Sequence, residues 1–166
     1  MSEWFVQNAR DADWEICKLG RFCQFEPEDA RFPQLGFNLN VLAPGEPMTM
    51  YHREQLQEDF LVVEGECILI VEGEEVPMRK WDFFHCPPGV AHAMVGAGEG
   101  LSVVLAVGAR TGEHGVEYPA DPVAQKHGAG VAVTTSIPKE AYAGLVIEPG
   151  RRRGAEQDPD RGPQPR

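Results

Sequence analysis

From Leu35 the chain alternates apolar residues with small or polar ones. Leu35-Gly36-Phe37-Asn38-Leu39-Asn40-Val41-Leu42 has the period of two that predicts a half-buried strand. Ala43-Pro44-Gly45-Glu46-Pro47 predicts a turn. Phe60-Leu61-Val62-Val63 and Cys67-Ile68-Leu69-Ile70-Val71 are apolar runs on either side of Glu64-Gly65-Glu66. Their shortness and β-branching predict strands rather than helix. A turn at Glu72-Gly73-Glu74 leads to Val76-Pro77-Met78-Arg79, and then to a run from Trp81 to Cys86. Pro87-Pro88-Gly89 breaks that run before His92-Ala93-Met94-Val95. A Gly-rich turn then precedes Leu101-Ser102-Val103-Val104-Leu105-Ala106-Val107. Turns recurring every ~8–12 residues predict an all-β sandwich or closed barrel. No internal repeat is apparent, which excludes two tandem barrels.

The pattern divides the chain. Residues 1–34 are aromatic-rich with little periodicity, and they predict an N-terminal arm with one or two short strands packing on the outside of the barrel. Residues 35–110 hold the barrel. Residues 111–150 form a C-terminal extension with short helices. The first has Asp121 as N-cap and Pro122 at its first position, and Ser136 to Tyr142 suggest another. Residues 151–166 contain no large apolar residue, so burial cannot offset their ordering entropy, and a mobile tail is expected.

Composition narrows the function. With 15 basic and 26 acidic residues the net charge is -11. Such a surface repels phosphate backbones and anionic lipid, so no nucleic-acid or membrane partner is expected. No apolar run approaches the ~20 residues of a membrane span. Met1-Ser2-Glu3-Trp4-Phe5 does not resemble a signal peptide. Cys17, Cys23, Cys67 and Cys86 include no CxxC pair, and a cytoplasmic protein with reduced thiols is expected.

The chemistry lies in Tyr51-His52-Arg53-Glu54-Gln55-Leu56-Gln57-Glu58 and in His92. On an extended strand His52 and Glu54 project to one face, and Tyr51 to the other. Glu58 opens the next strand, and His92 follows the Pro-Pro-Gly turn. Imidazole nitrogen and carboxylate oxygen suit a borderline divalent metal. Without a metal, these inward side chains would have to satisfy one another through hydrogen bonds or water.

The arrangement resembles the two motifs of the cupin superfamily, G-x5-H-x-H-x3–4-E-x6-G and G-x5-P-x-G-x2-H-x3-N. His52-x-Glu54-x3-Glu58-x6-Gly65 matches the first from its opening His, and Pro87-x-Gly89-x2-His92 matches the second. Glu54 replaces the second His of the first motif, whose opening Gly falls one residue early at Gly45. Trp81 and Gly96 replace the opening Gly and closing Asn of the second. The resemblance implies a jelly-roll (double-stranded β-helix) barrel. It also implies one divalent metal ion per chain (Fe, Mn, Zn or Ni) on His52, Glu58 and His92, with Glu54 as fourth ligand. Two imidazoles and two carboxylates would neutralise a 2+ ion and make it a weaker Lewis acid. Alternatively Glu54 stays off the metal and acts as a base, which leaves open coordination positions. Two carboxylates in one cavity should repel, and without metal at least one should hold a proton.

Phe37, Met50, Phe60, Phe84, Cys86 and Met94 are candidates to line the pocket. His85 should face outward, opposite to Cys86, and His114 and His127 should be exposed. The resemblance spans dioxygenases, isomerases, epimerases, decarboxylases, lyases and non-catalytic domains. The expected activity is metal-dependent and acts on a small organic molecule. The alternative is a non-catalytic small-molecule or metal-binding module. Small cupins resemble dimers, and the aromatic arm adds apolar surface, so a homodimer is expected.

Overall fold

Hydrogen-bond register converts the alternation of the sequence into two faces. A computed structural model describes residues 4–17, 19–26, 31–144 and 148–149. Its strands are β1 (Trp14–Cys17), β2 (Gly20–Gln24), β3 (Leu35–Leu42), β4 (Arg53–Glu54), β5 (Glu58–Glu64) and β6 (Glu66–Val71). They continue with β7 (Glu74–Arg79), β8 (Phe83–Cys86), β9 (His92–Ala97), β10 (Ser102–Ala109), β11 (Val116–Glu117) and β12 (Glu148–Pro149). The helices are α1 (Pro122–Lys126) and α2 (Pro138–Ala141). A seven-stranded sheet runs β12-β1-β2-β3-β10-β5-β8, a three-stranded sheet runs β7-β6-β9, and β11 pairs with β4. This is an all-β barrel with short C-terminal helices.

The core draws on both larger sheets. Leu42, Phe60, Val62 and Val104 of the large sheet pack with Cys67, Leu69, Met78 and Met94 of the small one. Across β3, β10, β5 and β8 the row Asn38, Ala106, Phe60 and Phe84 faces inward. The next row, Phe37, Val107, Asp59 and His85, faces outward. The expectation that Phe37 lines the pocket is therefore corrected: its ring packs against Phe32 at 6.4 Å, outside the barrel. Periodicity gives the spacing of a strand but not its phase, and a one-residue offset exchanges the faces. Here β3 turns Asn38 and Asn40 inward, and the Asn40 amide reaches the Val104 carbonyl at 3.5 Å.

The arm holds two short strands, which join the barrel at a sheet edge. β1 and β2 extend the large sheet beyond β3, in register from Arg21↔Val41 to Gln24↔Asn38. The Arg110 guanidinium grips the Glu26 carboxylate and the Phe32 carbonyl, tying the arm to the end of β10. In the extension, the Asp121 side chain caps α1 by accepting from the Ala124 N–H at 2.9 Å. Residues 151–166, expected to be a tail, lie outside the described residues.

Both departures at the ends of the second motif have a backbone reason. Trp81 has φ +76°, the left-handed conformation that a glycine would adopt without strain. Its N–H still donates to the Val62 carbonyl at 2.8 Å, so the turn keeps its shape with an exposed indole. At Gly96 a Cβ would lie 2.3 Å from the Ala43 carbonyl oxygen, so the strand approaches the 43–46 turn too closely for any side chain.

Candidate metal centre

His52 and His92 face each other across an antiparallel bridge. The His52 N–H donates to the His92 carbonyl at 3.0 Å, and the His92 N–H returns a bond of 2.8 Å. Residues paired in this way send their side chains to the same face, and the ring centroids lie 4.8 Å apart. Glu58 opens β5 opposite Cys86 and Gly108. The glycine leaves room beside the Glu58 stem.

The three side chains converge. Glu58 Oε2 lies 3.5 Å from His52 Nε2 and 3.3 Å from His92 Nε2. One potential ligand atom from each residue falls within 4.8 Å of the others. Both rings are aimed from behind. His52 Nδ1 lies 2.8 Å from the Met50 carbonyl, and His92 Nδ1 lies 3.2 Å from the Val90 carbonyl. A carbonyl only accepts, so these contacts put the ring hydrogen on Nδ1 and leave the Nε2 lone pairs pointing at Glu58.

The fit to a metal is tested by what those atoms lack. His92 Nε2 and Glu58 Oε2 are both buried, and neither has a hydrogen-bond partner. Mutual satisfaction of the inward groups is thus incomplete, although a buried acceptor without a partner costs about 1–3 kcal/mol. Two imidazole nitrogens and a carboxylate oxygen, converging and unsatisfied, form a donor set that could hold a borderline divalent ion. Such an ion would supply a Lewis-acid centre.

Electrostatics divides the two carboxylates. Burial alone would raise the Glu58 pKa, but when both rings are protonated at Nε2 as well, hydrogen bonds and charge from His52 and His92 outweigh it and hold the group at about 2. For His52, burial disfavours the charged ring, yet the contact with Glu58 raises its pKa overall. Glu54 moves the other way, raised first by burial and then by the Glu58 charge. Its Oε1 lies 3.8 Å from His52 Nε2, outside the compact trio, and its side chain is 37% exposed.

Aromatic and sulfur groups enclose the centre. Phe60 and Phe84 stack at 5.8 Å, with centroids 5.1 and 5.9 Å from the His92 ring. Cys86 Sγ lies 3.3 Å from His92 Nδ1, on the opposite edge of the ring from the converging Nε2. Burial and then Glu58 push its thiol up to about 12, so the sulfur orients the imidazole as a neutral group. Met94 packs in the main core, and Met50 packs with Leu19, Tyr118 and Ala141. Tyr51 points away and accepts from the Gly73 N–H at 3.1 Å. His85 is exposed and pairs with Asp59 at 2.7 Å. His114 is exposed, but His127 is not. His127 caps the C-terminus of α1, which turns its ring onto Glu75 of β7 at 2.8 Å.

Sequence reasoning missed Tyr118 and Tyr142. Tyr118 is buried, with its ring 5.9 Å from that of His52, and it meets Tyr142 edge-on at 5.7 Å. Both lie beyond the last periodic strand, where nothing in the alternation marks a site. The only available signal was an aromatic residue within a polar stretch.

The comparisons agree with this geometry. A family model for the cupin domain matches residues 38–108. No curated protein sequence matches the chain. Among solved structures, a proposed sugar phosphate isomerase from Acidithiobacillus ferrooxidans is 27% identical, with TM-score 0.54 over 61% of this chain and 67% of that one. A cupin-superfamily sugar phosphate isomerase from Silicibacter pomeroyi is 25% identical, with TM-score 0.54 over 61% and 71%. An RmlC-like cupin from Shewanella frigidimarina is 20% identical, with TM-score 0.55 over 68% and 95%, a likeness of fold. The barrel, both motifs and the family match over residues 38–108 show a cupin domain in this chain.

Proposed function

We propose that the protein is a metal-dependent enzyme acting on a small oxygenated organic molecule, by an isomerase-type reaction, with one divalent ion on His52, Glu58 and His92. The observation that carries this reading is the buried, unpartnered pair His92 Nε2 and Glu58 Oε2, converging with His52 Nε2. The likeness to two proteins described as sugar phosphate isomerases supports the reaction class. Glu54 serves as an acid–base group. It stands beside the trio, partly exposed, with a pKa raised by burial and by the Glu58 charge, which favours its holding a proton for transfer. Phe60 and Phe84 form an apolar wall that limits water.

The test begins with protein purified without chelator and loaded in turn with Mn, Fe, Ni and Zn. Each preparation is incubated in D2O with small hydroxyketones and sugar phosphates, and solvent exchange beside the carbonyl is followed by NMR. Exchange that depends on the metal, and falls at least about tenfold in Glu54→Gln, is expected. Metal uptake without exchange on any compound would favour the non-catalytic binding module.

The reading includes a homodimer. The outer row Leu39, Leu105, Leu61 and Phe83 of the large sheet is apolar, and Phe83 is 62% exposed. Trp4 and Val6 of the arm are 74% and 91% exposed. A second copy would cover both surfaces. Light scattering at micromolar concentration should give twice the chain mass, and a monomer mass would contradict it. Among the described residues no helix is long and apolar enough to cross a membrane. The four cysteines are free, which supports a reducing, cytoplasmic setting.

A further inference from the structure

The family match ends at residue 108, yet the chain beyond it returns to the segment that presents His52 and Glu54. Within the matched residues, the backbone of Met50 to Gln55 has two partners. His52 exchanges bonds of 3.0 and 2.8 Å with His92, and the Glu54 carbonyl accepts from the Gly89 N–H at 2.7 Å. The extension supplies the others. The Tyr51 N–H donates to the Ala129 carbonyl at 2.7 Å, and the Gln55 N–H donates to the Gly115 carbonyl at 3.0 Å. Between them β11 pairs with β4, Val116 opposite Glu54 and Glu117 opposite Arg53. Tyr51 and Ala129 are both buried, so water cannot replace their bond if the extension leaves.

The extension also reaches the His52 side chain. The buried Tyr118 ring lies with its centroid 5.9 Å from that of His52, tilted by 36°. Tyr118 is fixed by an antiparallel bridge to Thr135, with bonds of 2.8 and 3.1 Å. Tyr118 and Ala141 pack with Met50, whose carbonyl lies 2.8 Å from His52 Nδ1. An imidazole turns about two side-chain torsions. The Met50 carbonyl holds one edge of the His52 ring, and the Tyr118 ring occupies space into which it could otherwise turn. Both supports depend on the extension, and both favour the pose in which Nε2 meets Glu58.

We propose that the extension is a positioning element of the metal centre, with the Tyr118 ring as the residue that holds His52, so that docking of the extension and loading of the ion favour each other. The proposal rests on the reading of His52, Glu58 and His92 as a metal site. It adds that the cupin domain alone does not set the geometry of that site.

The experiment uses the full chain and Co(II), whose visible spectrum reports binding. Wild type should bind one Co(II). Tyr118→Ala should bind it at least about tenfold more weakly, as losing a group that orients a metal-binding imidazole does. Tyr118→Phe keeps the ring and should stay within about twofold of wild type. Met78→Ala controls for general destabilisation. Met78 is a core residue opposite Cys67, four residues along β6 from the Val71 that faces His92, or about 13 Å. This variant should melt at a lower temperature with its Co(II) affinity unchanged. Amide hydrogen exchange in wild type gives the reciprocal measurement and needs no variant to fold. Co(II) should slow exchange at Tyr51, Tyr118 and Thr135 about fivefold or more, because coupling acts in both directions. Amides of the β1–β2 hairpin should keep their rates. Wild-type affinity in Tyr118→Ala would overturn the proposal, as would a loss in Tyr118→Phe or Met78→Ala equal to that in Tyr118→Ala. So would exchange that Co(II) leaves unchanged, or slows equally in the β1–β2 hairpin. Failure of wild type to bind Co(II) would remove the metal-site reading itself, and the proposal with it.

Discussion

His92→Ala protein is expected to bind no stoichiometric divalent metal, with affinity at least about 100-fold below that of wild type. His92 supplies the most buried of the three converging atoms, 1% exposed in its side chain, and that atom has no other partner. Without it, Glu58 and His52 remain, and two ligands do not hold a borderline ion against water. The variant also opens a cavity beside Phe60 and Phe84, costing about 2–4 kcal/mol. Thermal melting separates the two effects. At a metal concentration a hundredfold above Kd, wild type should gain about 2.7 kcal/mol, or roughly 5–10 °C in Tm. His92→Ala and His52→Ala should melt at the same temperature with and without metal. Full metal retention in both variants would refute the assignment of the centre.

Gly96→Asn, which restores the residue that the second motif usually ends on, is expected to destabilise the protein by about 3–5 kcal/mol. The obstruction is backbone rather than the tip of a flexible side chain. A Cβ at Gly96 would meet the Ala43 carbonyl oxygen at 2.3 Å and Leu42 Cβ at 3.0 Å. The neighbouring turn cannot retreat cheaply. The Gly45 N–H donates to the Gly96 carbonyl at 2.8 Å, and the Gly96 N–H donates to Glu46 at 2.9 Å. Glu46 in turn accepts from the Ala43 N–H at 2.8 Å. Moving the turn would break these bonds together with the Met48 N–H bond to Met94 at 2.7 Å. Gly100→Ala is the control, since a Cβ there meets nothing within 4 Å. Chemical denaturation of the three proteins measures the difference. A Gly96→Asn variant within about 1 kcal/mol of wild type would show that the turn yields.

The barrel was legible because its strands alternate and its turns recur at short intervals. The placement of His52, Glu58 and His92 was legible because two motif spacings fix which residues enter one cavity. Phase was not legible: Phe37 stands in a well-formed alternation, yet its register with Asp59 and His85 turns it outward. Trp81 and Gly96 show a second limit. Each looked like a departure from a pattern, but the backbone conformation at Trp81 is the one that the pattern's glycine serves. Tyr118 was invisible, because what puts it beside His52 is pairing between β11 and β4, far apart in sequence, and Tyr142 meets Tyr118 only through α2. Glu54 lies 3.8 Å from His52 Nε2, and the repulsion expected between two carboxylates in one cavity raises its pKa while that of Glu58 falls; spacing alone did not say which of the two would be raised.

The bridge between His52 and His92 has a consequence for how the molecule matures. The two imidazoles become neighbours only when the chain just ahead of β4 pairs with the start of β9, and Glu58 joins them only once β5 has its partners. No segment of a few consecutive residues can assemble the trio, so a nascent chain offers a passing ion nothing better than isolated side chains. An ion held by the trio would therefore be captured only after these strands have paired, and its occupancy would report correct strand register, since a slip of one residue would turn either imidazole to the opposite face.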